Sequence, residues 1–218
     1  ISTFRKMHSW EVPGERCITL LSAGNLATTQ SLVSQLEERA KVPVERKPSI
    51  LEAPTMFQLA SIIGETLRQT IANKAMTGAT ASSTFNATLI LGGQIAGMPP
   101  RLFLIYPEGN FIEASEDTPF FQIGETKYGR PILVRAYDRT MSFEDAVKLL
   151  CVSFDSTIKA NLSVGLPLDL QLIEANSMTI GYRHRFERDD PYYDAVSRQW
   201  GHQLRSAFDA LPDYSLGE

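Results

Sequence analysis

Cysteine is nearly absent: the 218 residues include two, Cys17 and Cys151. Each sits inside an apolar run, and two such residues in a chain of this length read as reduced core side chains of a cytoplasmic protein rather than as a disulfide framework. Histidine is almost as scarce. His8, His184 and His202 do not fall at ligand spacing from one another or from either cysteine, so no metal or other cofactor is expected. Long apolar runs are missing too, since stretches such as 88–91 and 102–106 fall far short of the ~20 residues that cross a bilayer. No membrane partner is expected. Charge of one sign is not in excess either: 21 Lys+Arg stand against 25 Asp+Glu, a formal −4, and nothing steers nucleic acid toward the chain.

Familiar catalytic signatures are also lacking. Leu91-Gly92-Gly93-Gln94 has neither the later glycine nor the Lys-Ser/Thr of a nucleotide loop, and reads as a hairpin turn. Leu162-Ser163-Val164-Gly165 does not replace the GxSxG elbow of a serine hydrolase. No secretory signal pattern opens the chain. Ile1 is neither an initiator Met nor a processed small residue, which predicts native polypeptide ahead of it.

What is present is the composition of an ordinary folded protein, 43% hydrophobic and 21% charged, and one domain over residues 1–218 is expected. Residues 3–10 read as extended and lead into a Pro13-Gly14 turn, then a buried strand over 16–22. A helix follows to about Lys41, stopped by Pro43 and Pro48. The clearest period in the chain comes next, with Met56, Leu59, Ala60, Ile63, Leu67 and Ile71 predicting one buried helix face. Four strands are expected over 85–93, 101–106, 110–114 and 120–124. Pro131 starts a short helix, and Ser142 with Asp145 caps a longer one to Ala160 whose core face includes Val147, Leu150, Cys151 and Phe154. Strands over 168–174 and 178–186 are joined by an Asn176-Ser177 turn, and a last helix spans 192–211. This order suits antiparallel sheets covered by helices, an α+β fold.

Four long segments, ISTFRKMHSWEVPGER, LLSAGNLATTQSLVSQLEER, LILGGQIAGMPPRLFLIYPEGNFIEASEDTPFFQIGETKYGRPIL and SFEDAVKLLCVSFDSTIKANLSVGLPLDL, resemble the Anbu family, the proteasome-related β-type proteins of bacteria. More distantly the chain is similar to HslV and to 20S proteasome β-subunits. The resemblance implies a four-layer αββα sandwich of two antiparallel sheets, the N-terminal nucleophile hydrolase fold. It also implies that the first strands, together with a terminal threonine nucleophile, precede Ile1 by about 25 residues. Ser2 and Thr3 cannot stand in for that threonine, because its base is its own free α-amine.

On the same resemblance Lys6 matches the lysine beside the nucleophile, with Arg5 as runner-up if the register slips by one. Its fixed charge would lower the hydroxyl pKa and keep the amine unprotonated. Leu21 and Ser22 fall where a backbone N–H receives the developing oxyanion, with Gly24 matching a later glycine. Glu125, Asn161 and Ser163 fall at the supporting positions, where proteasomes carry a serine and an Asp-x-x-Ser. Glu125 also reads as a loop carboxylate beside Lys127, and Asn161 as a helix C-cap. The implied function is a threonine peptidase or amidohydrolase acting on a peptide or amide. A weakly catalytic scaffold subunit and a small-amide amidase remain open. The partner implied is the chain itself, as a ring or lock-washer homo-oligomer, and the sequence leaves an activating ATPase undecided.

Overall fold

The Pro13-Gly14 pair sets the first hairpin: the Glu15 N–H donates to the Val12 carbonyl at 2.9 Å, and Gly14 takes φ +75°, which a side chain would resist. The structure, a computed structural model, describes residues 4–41, 48–77 and 82–216; Ile1, Ser2, Thr3 and Pro43 lie outside these. The hairpin joins β1 (Met7–Val12) to β2 (Arg16–Gly24), and β3 (Ala87–Ile95), β4 (Arg101–Ile105) and β5 (Phe111–Glu113) continue in sequence order to a five-stranded sheet. Every neighbouring pair in it is antiparallel.

Gly92 and Gly93, expected in a turn, lie inside β3. A Cβ on Gly93 would stand 2.2 Å from the Cys17 carbonyl oxygen, so the glycine answers to close backbone approach. The turn is displaced to residues 96–100. Residues 120–124 are not a strand; their apolar side chains are partly buried without ladder pairing.

α1 (Leu26–Lys41) and α2 (Met56–Thr77) pack on each other, and both contact this sheet. The predicted α2 stripe is buried in full, from Met56 at 1% exposure to Ile71 at 7%. It meets Ile18, Leu20, Leu89, Leu91, Phe103 and Ile105 in one cluster, and each of its large side chains contributes about 1.5–3 kcal/mol by leaving water. Arg16 is the costly inclusion. Its buried guanidinium donates to the Ile50 and Ala53 carbonyls at 3.1 and 3.0 Å and to Glu15 at 2.9 Å, so its charge is answered and the 49–53 segment is tied to β2. Where α2 passes the β4–β5 turn, Gly64 and Gly109 leave room for neither to carry a side chain.

The remaining elements are α3 (Arg130–Ala136), α4 (Phe143–Ala160), β6 (Leu168–Leu172), β7 (Tyr182–Phe186) and α5 (Pro191–Asp209). Ser142 caps α4 as expected, accepting the Asp145 N–H at 3.1 Å, and Asp190 caps α5 ahead of Pro191. The α4 core face is corrected. Leu150 and Phe154 are each 42% exposed, while Leu149, Cys151, Val152, Ser153 and Asp155 are buried. β6 and β7 form a second antiparallel sheet, with Gly181 donating to the Leu172 carbonyl and Arg185 pairing with Asp169. Residues 173–181 join them, a longer connection than the two-residue turn expected, with Asn176 and Met178 both at positive φ. Cys151, Phe186 and Tyr193 anchor a second cluster, with Val147, Ile158, Leu168 and Val196 around it.

The chain divides into two compact units, residues through Gly124 with Gln171–His184, and Glu125–Leu170 with Arg185 onward. Among the described residues the fold is α+β, two antiparallel sheets with five α-helices, as the element order implied. No helix in that set is long and apolar enough to cross a membrane.

Candidate functional site

Lys6 stands one residue before β1, at the open end of the hairpin, and is exposed. Its carbonyl accepts the Ser22 N–H at 2.9 Å, which extends the register Met7↔Leu21 by one rung. Directly opposite residues of an antiparallel pair share a face. Lys6 and Ser22 therefore lie on the side of the sheet that carries Leu20 and Ile18 into the helix-covered core. Among the described residues the Lys6 ammonium has no hydrogen-bond or ion-pair partner. Arg5, the runner-up, lies near enough to His8 to act on its imidazole. His8, two residues along from Lys6, is half-buried, and burial holds its imidazole below the ordinary histidine range against the opposing pull of Glu37.

The backbone donors expected at Leu21 and Ser22 require correction. The Ser22 amide is spent on Lys6. Amides alternate in direction along a strand, so that of Leu21 turns to β3, where its partner is Ile90. Gly24 continues the Ser22 side past the last β1 rung, and among the described residues no partner takes its N–H. Its φ of +108° and a Cβ position 2.5 Å from the Asn86 carbonyl oxygen admit only glycine. Asn25 then fixes the turn, accepting the Thr28 N–H on Oδ1 at 2.9 Å and donating its own N–H to the Asn86 carbonyl at 2.9 Å. Among the described residues that amide is untaken, and it sits beside the positive end of α1. The glycine was visible in the sequence, but its place in the ladder was not.

In the second unit Glu125, Asn161 and Ser163 come together. Asn161 Nδ2 donates to Glu125 Oε2 at 2.9 Å, while its Oδ1 accepts from the Ser163 N–H and Oγ at 2.9 and 2.7 Å. The Lys127 N–H donates to Glu125 Oε1 at 2.9 Å, and that bond, before the one from Asn161, holds the Glu125 carboxyl below the usual range. Asn161 is also the C-cap of α4. Both donor and acceptor ends of the amide are therefore in use.

Burial pushes the free thiols of Cys17 and Cys151 up to about 11, which makes neither a nucleophile near neutral pH. Among the described residues no group of three His, Cys, Asp or Glu is placed to hold a metal ion.

No protein-family model matches the chain. Solved structures do. Anbu, the ancestral β-subunit, from Yersinia bercovieri is 44% identical over 99% of this chain and 88% of that one, with a TM-score of 0.91. Anbu from Hyphomicrobium sp. strain MC1 is 42% identical at the same coverage, TM-score 0.89. The Anbu complex of Pseudomonas aeruginosa, described as a helical assembly, is 40% identical over 99% and 88%, TM-score 0.90. A proteasome subunit beta from Haloquadratum walsbyi is 24% identical over 168 residues, 77% of this chain; the match spans 61% of that subunit.

Proposed function

The chain belongs to the Anbu family of proteasome-related β-subunits, and we propose that it is a subunit of a self-assembling amide hydrolase whose chemistry is organised around Lys6. The fold is that of the N-terminal nucleophile hydrolases. The observation that carries the proposal is a pairing at one strand end: among the described residues, a lysine without an ionic partner and, one rung beyond it, an untaken amide at Gly24.

Each part then has a chemical task. A terminal threonine of the native polypeptide attacks the substrate carbonyl after its hydroxyl proton passes to its own α-amine. The Lys6 ammonium lowers the pKa of that hydroxyl and disfavours protonation of the amine. The Gly24 N–H, replacing the Leu21 and Ser22 amides, receives the oxyanion as the tetrahedral intermediate forms. The intermediate collapses as the α-ammonium returns that proton to the leaving nitrogen and the amide C–N bond breaks, and water, activated by the freed amine, then releases the acyl group. The substrate class is a peptide or other amide. The subunit works as a homo-oligomer, a reading supported by the similar Pseudomonas complex, described as a helical assembly; exposed Leu150, Phe154, Tyr192 and Phe208 supply apolar surface for it.

The test is an electrophile that closes a ring on both a hydroxyl and the adjacent amine, applied to the full native polypeptide and read by intact mass. The expected result is one adduct per subunit, lost in Lys6→Ala. An intact terminal threonine that takes no adduct removes the hydrolase reading. One observation favours a second reading, a slow or inactive assembly subunit: Asn161 stands where proteasomes hold a carboxylate, and its amide is consumed by Glu125 and Ser163. On that reading the adduct is absent while assembly persists.

A further inference from the structure

One side of α3 is pressed against α4. Gly129, just ahead of it, is buried, and a Cβ there would stand 2.3 Å from Ser153 Oγ; Leu133 is 6% exposed. Contact this close fixes which side chains are left outward. They are Arg130, Pro131, Val134 and Arg135, all exposed, with Arg130 beside Val134 and Pro131 beside Arg135 at helical spacing. Together with Thr126 and Lys127 they line an open cleft of ≈ 390 Å³. The Arg130 N–H donates to the Thr126 carbonyl at 3.2 Å, so the chain is already turning helically at Lys127.

The charge of this face is one-sided. From Thr126 to Tyr137 the sequence carries three cations and no acid, in a chain whose formal balance is −4. Among the described residues none of the three cations is ion-paired. Glu125 is near enough to feel Lys127, but its carboxylate is held by the Lys127 N–H and by Asn161. Like charges gathered in one cleft repel one another until an anion enters. A phosphate or a lone carboxylate would use the cations and leave Val134, 63% exposed, in water. An acidic segment with an apolar side chain between its acids uses both. The spacing agrees: acids four residues apart in an extended chain are separated by about 13 Å, against roughly 12 Å of helical rise from Lys127 to Arg135.

We propose that this cleft takes an extended acidic segment of a partner protein, its two acids meeting Lys127 and Arg135, with Arg130 between them, and its central apolar side chain lying on Pro131 and Val134. Charge then governs the encounter, and the apolar contact governs how long the segment stays. The inference stands apart from hydrolysis and makes no use of Lys6.

A fluorescein-labelled peptide with blocked termini tests it on the full chain by anisotropy at low salt: two glutamates four residues apart, a central leucine, and serine and glycine elsewhere. The peptide binds in the micromolar range, is released as salt rises, and does not bind when lysines replace its glutamates. Arg130→Glu with Arg135→Glu lowers the affinity about ten-fold or more, and Val134→Ser lowers it about three-fold. All three positions are exposed, and an unchanged Trp200 unfolding curve shows that the second unit stays folded. A serine-for-leucine peptide that binds as tightly as the original reveals a simple anion site and overturns the proposal. So does a peptide that fails to bind, as when a second copy of the chain already covers the face, or one whose affinity survives both charge reversals. Capture of a terminal threonine by the electrophile tests hydrolysis by itself, so either reading can fall alone.

Discussion

Replacing Gly64 and Gly201 by alanine sets local propensity against packing. Both glycines are interior to helices, α2 and α5, and propensity alone gives each alanine a gain of about 1 kcal/mol. At Gly201 nothing lies within 4 Å of the new Cβ, so the gain is realised. At Gly64 the Cβ falls 2.2 Å from the Gly109 carbonyl oxygen and 3.1 Å from its carbon. The overlap, about 1 Å, is against backbone in a tight turn and cannot be relieved by a rotamer. Overpacking of this kind costs about 1–3 kcal/mol, and a backbone clash belongs at the top of that range. The net loss for Gly64→Ala is about 2 kcal/mol, or roughly 1 M in urea midpoint for a slope near 2 kcal/mol/M. Trp10 and Trp200 report the two units separately, so the parent for Gly64→Ala carries Trp200→Phe and that for Gly201→Ala carries Trp10→Phe. A Gly64→Ala midpoint at or above its parent, or a Gly201→Ala midpoint below its own, refutes the reasoning.

Lys6→Ala abolishes adduct formation on native protein while the Trp10 unfolding curve stays within about 0.5 kcal/mol of the parent, as an exposed side chain requires; loss of the fold itself counts against the catalytic role. Ser142→Ala removes the acceptor for the Asp145 N–H and lowers stability by about 1 kcal/mol, read from Trp200. His8 gives a pH signature. Burial lowers its folded pKa, so below the ordinary value the unfolded chain binds the extra proton and stability falls with pH until the folded value is passed. His8→Gln flattens the urea-midpoint profile below about pH 6.5, the ordinary histidine value; an unchanged slope assigns it to other groups.

The elements with strong local causes were legible in the sequence. The α2 stripe, the Ser142 cap and the Pro13-Gly14 turn each rest on neighbours within a few residues. Failures came where distant backbone decides. Gly92 and Gly93 have the look of a turn, yet β2 passing close by requires them in a strand. Residues 120–124 are as apolar as a strand but find no ladder. Leu150 and Phe154 fit the helical period of a core face and are left open on the surface. At the candidate site, Lys6 and the second-unit residues were suggested by resemblance alone, and the ladder takes up the Ser22 amide expected as a donor. Which amides a ladder consumes depends on register, and register is set by a partner strand, not by the segment that carries the amide.

The first unit is assembled from two stretches separated by 46 residues of the other, 125–170. Within it, Ser9 donates to Gln171 Oε1 at 2.8 Å, and Gln171 donates to Thr19. Gln94 Nε2 donates to Asn176 Oδ1, also at 2.8 Å. During translation the five strands emerge long before their closing partners, and at ~5–20 residues per second the ribosome takes several seconds to deliver residues 171–184. For that interval the nascent sheet holds Thr19 against Ser9 and Gln94 against the Met98 carbonyl, with water in the places that Gln171 and Asn176 later take.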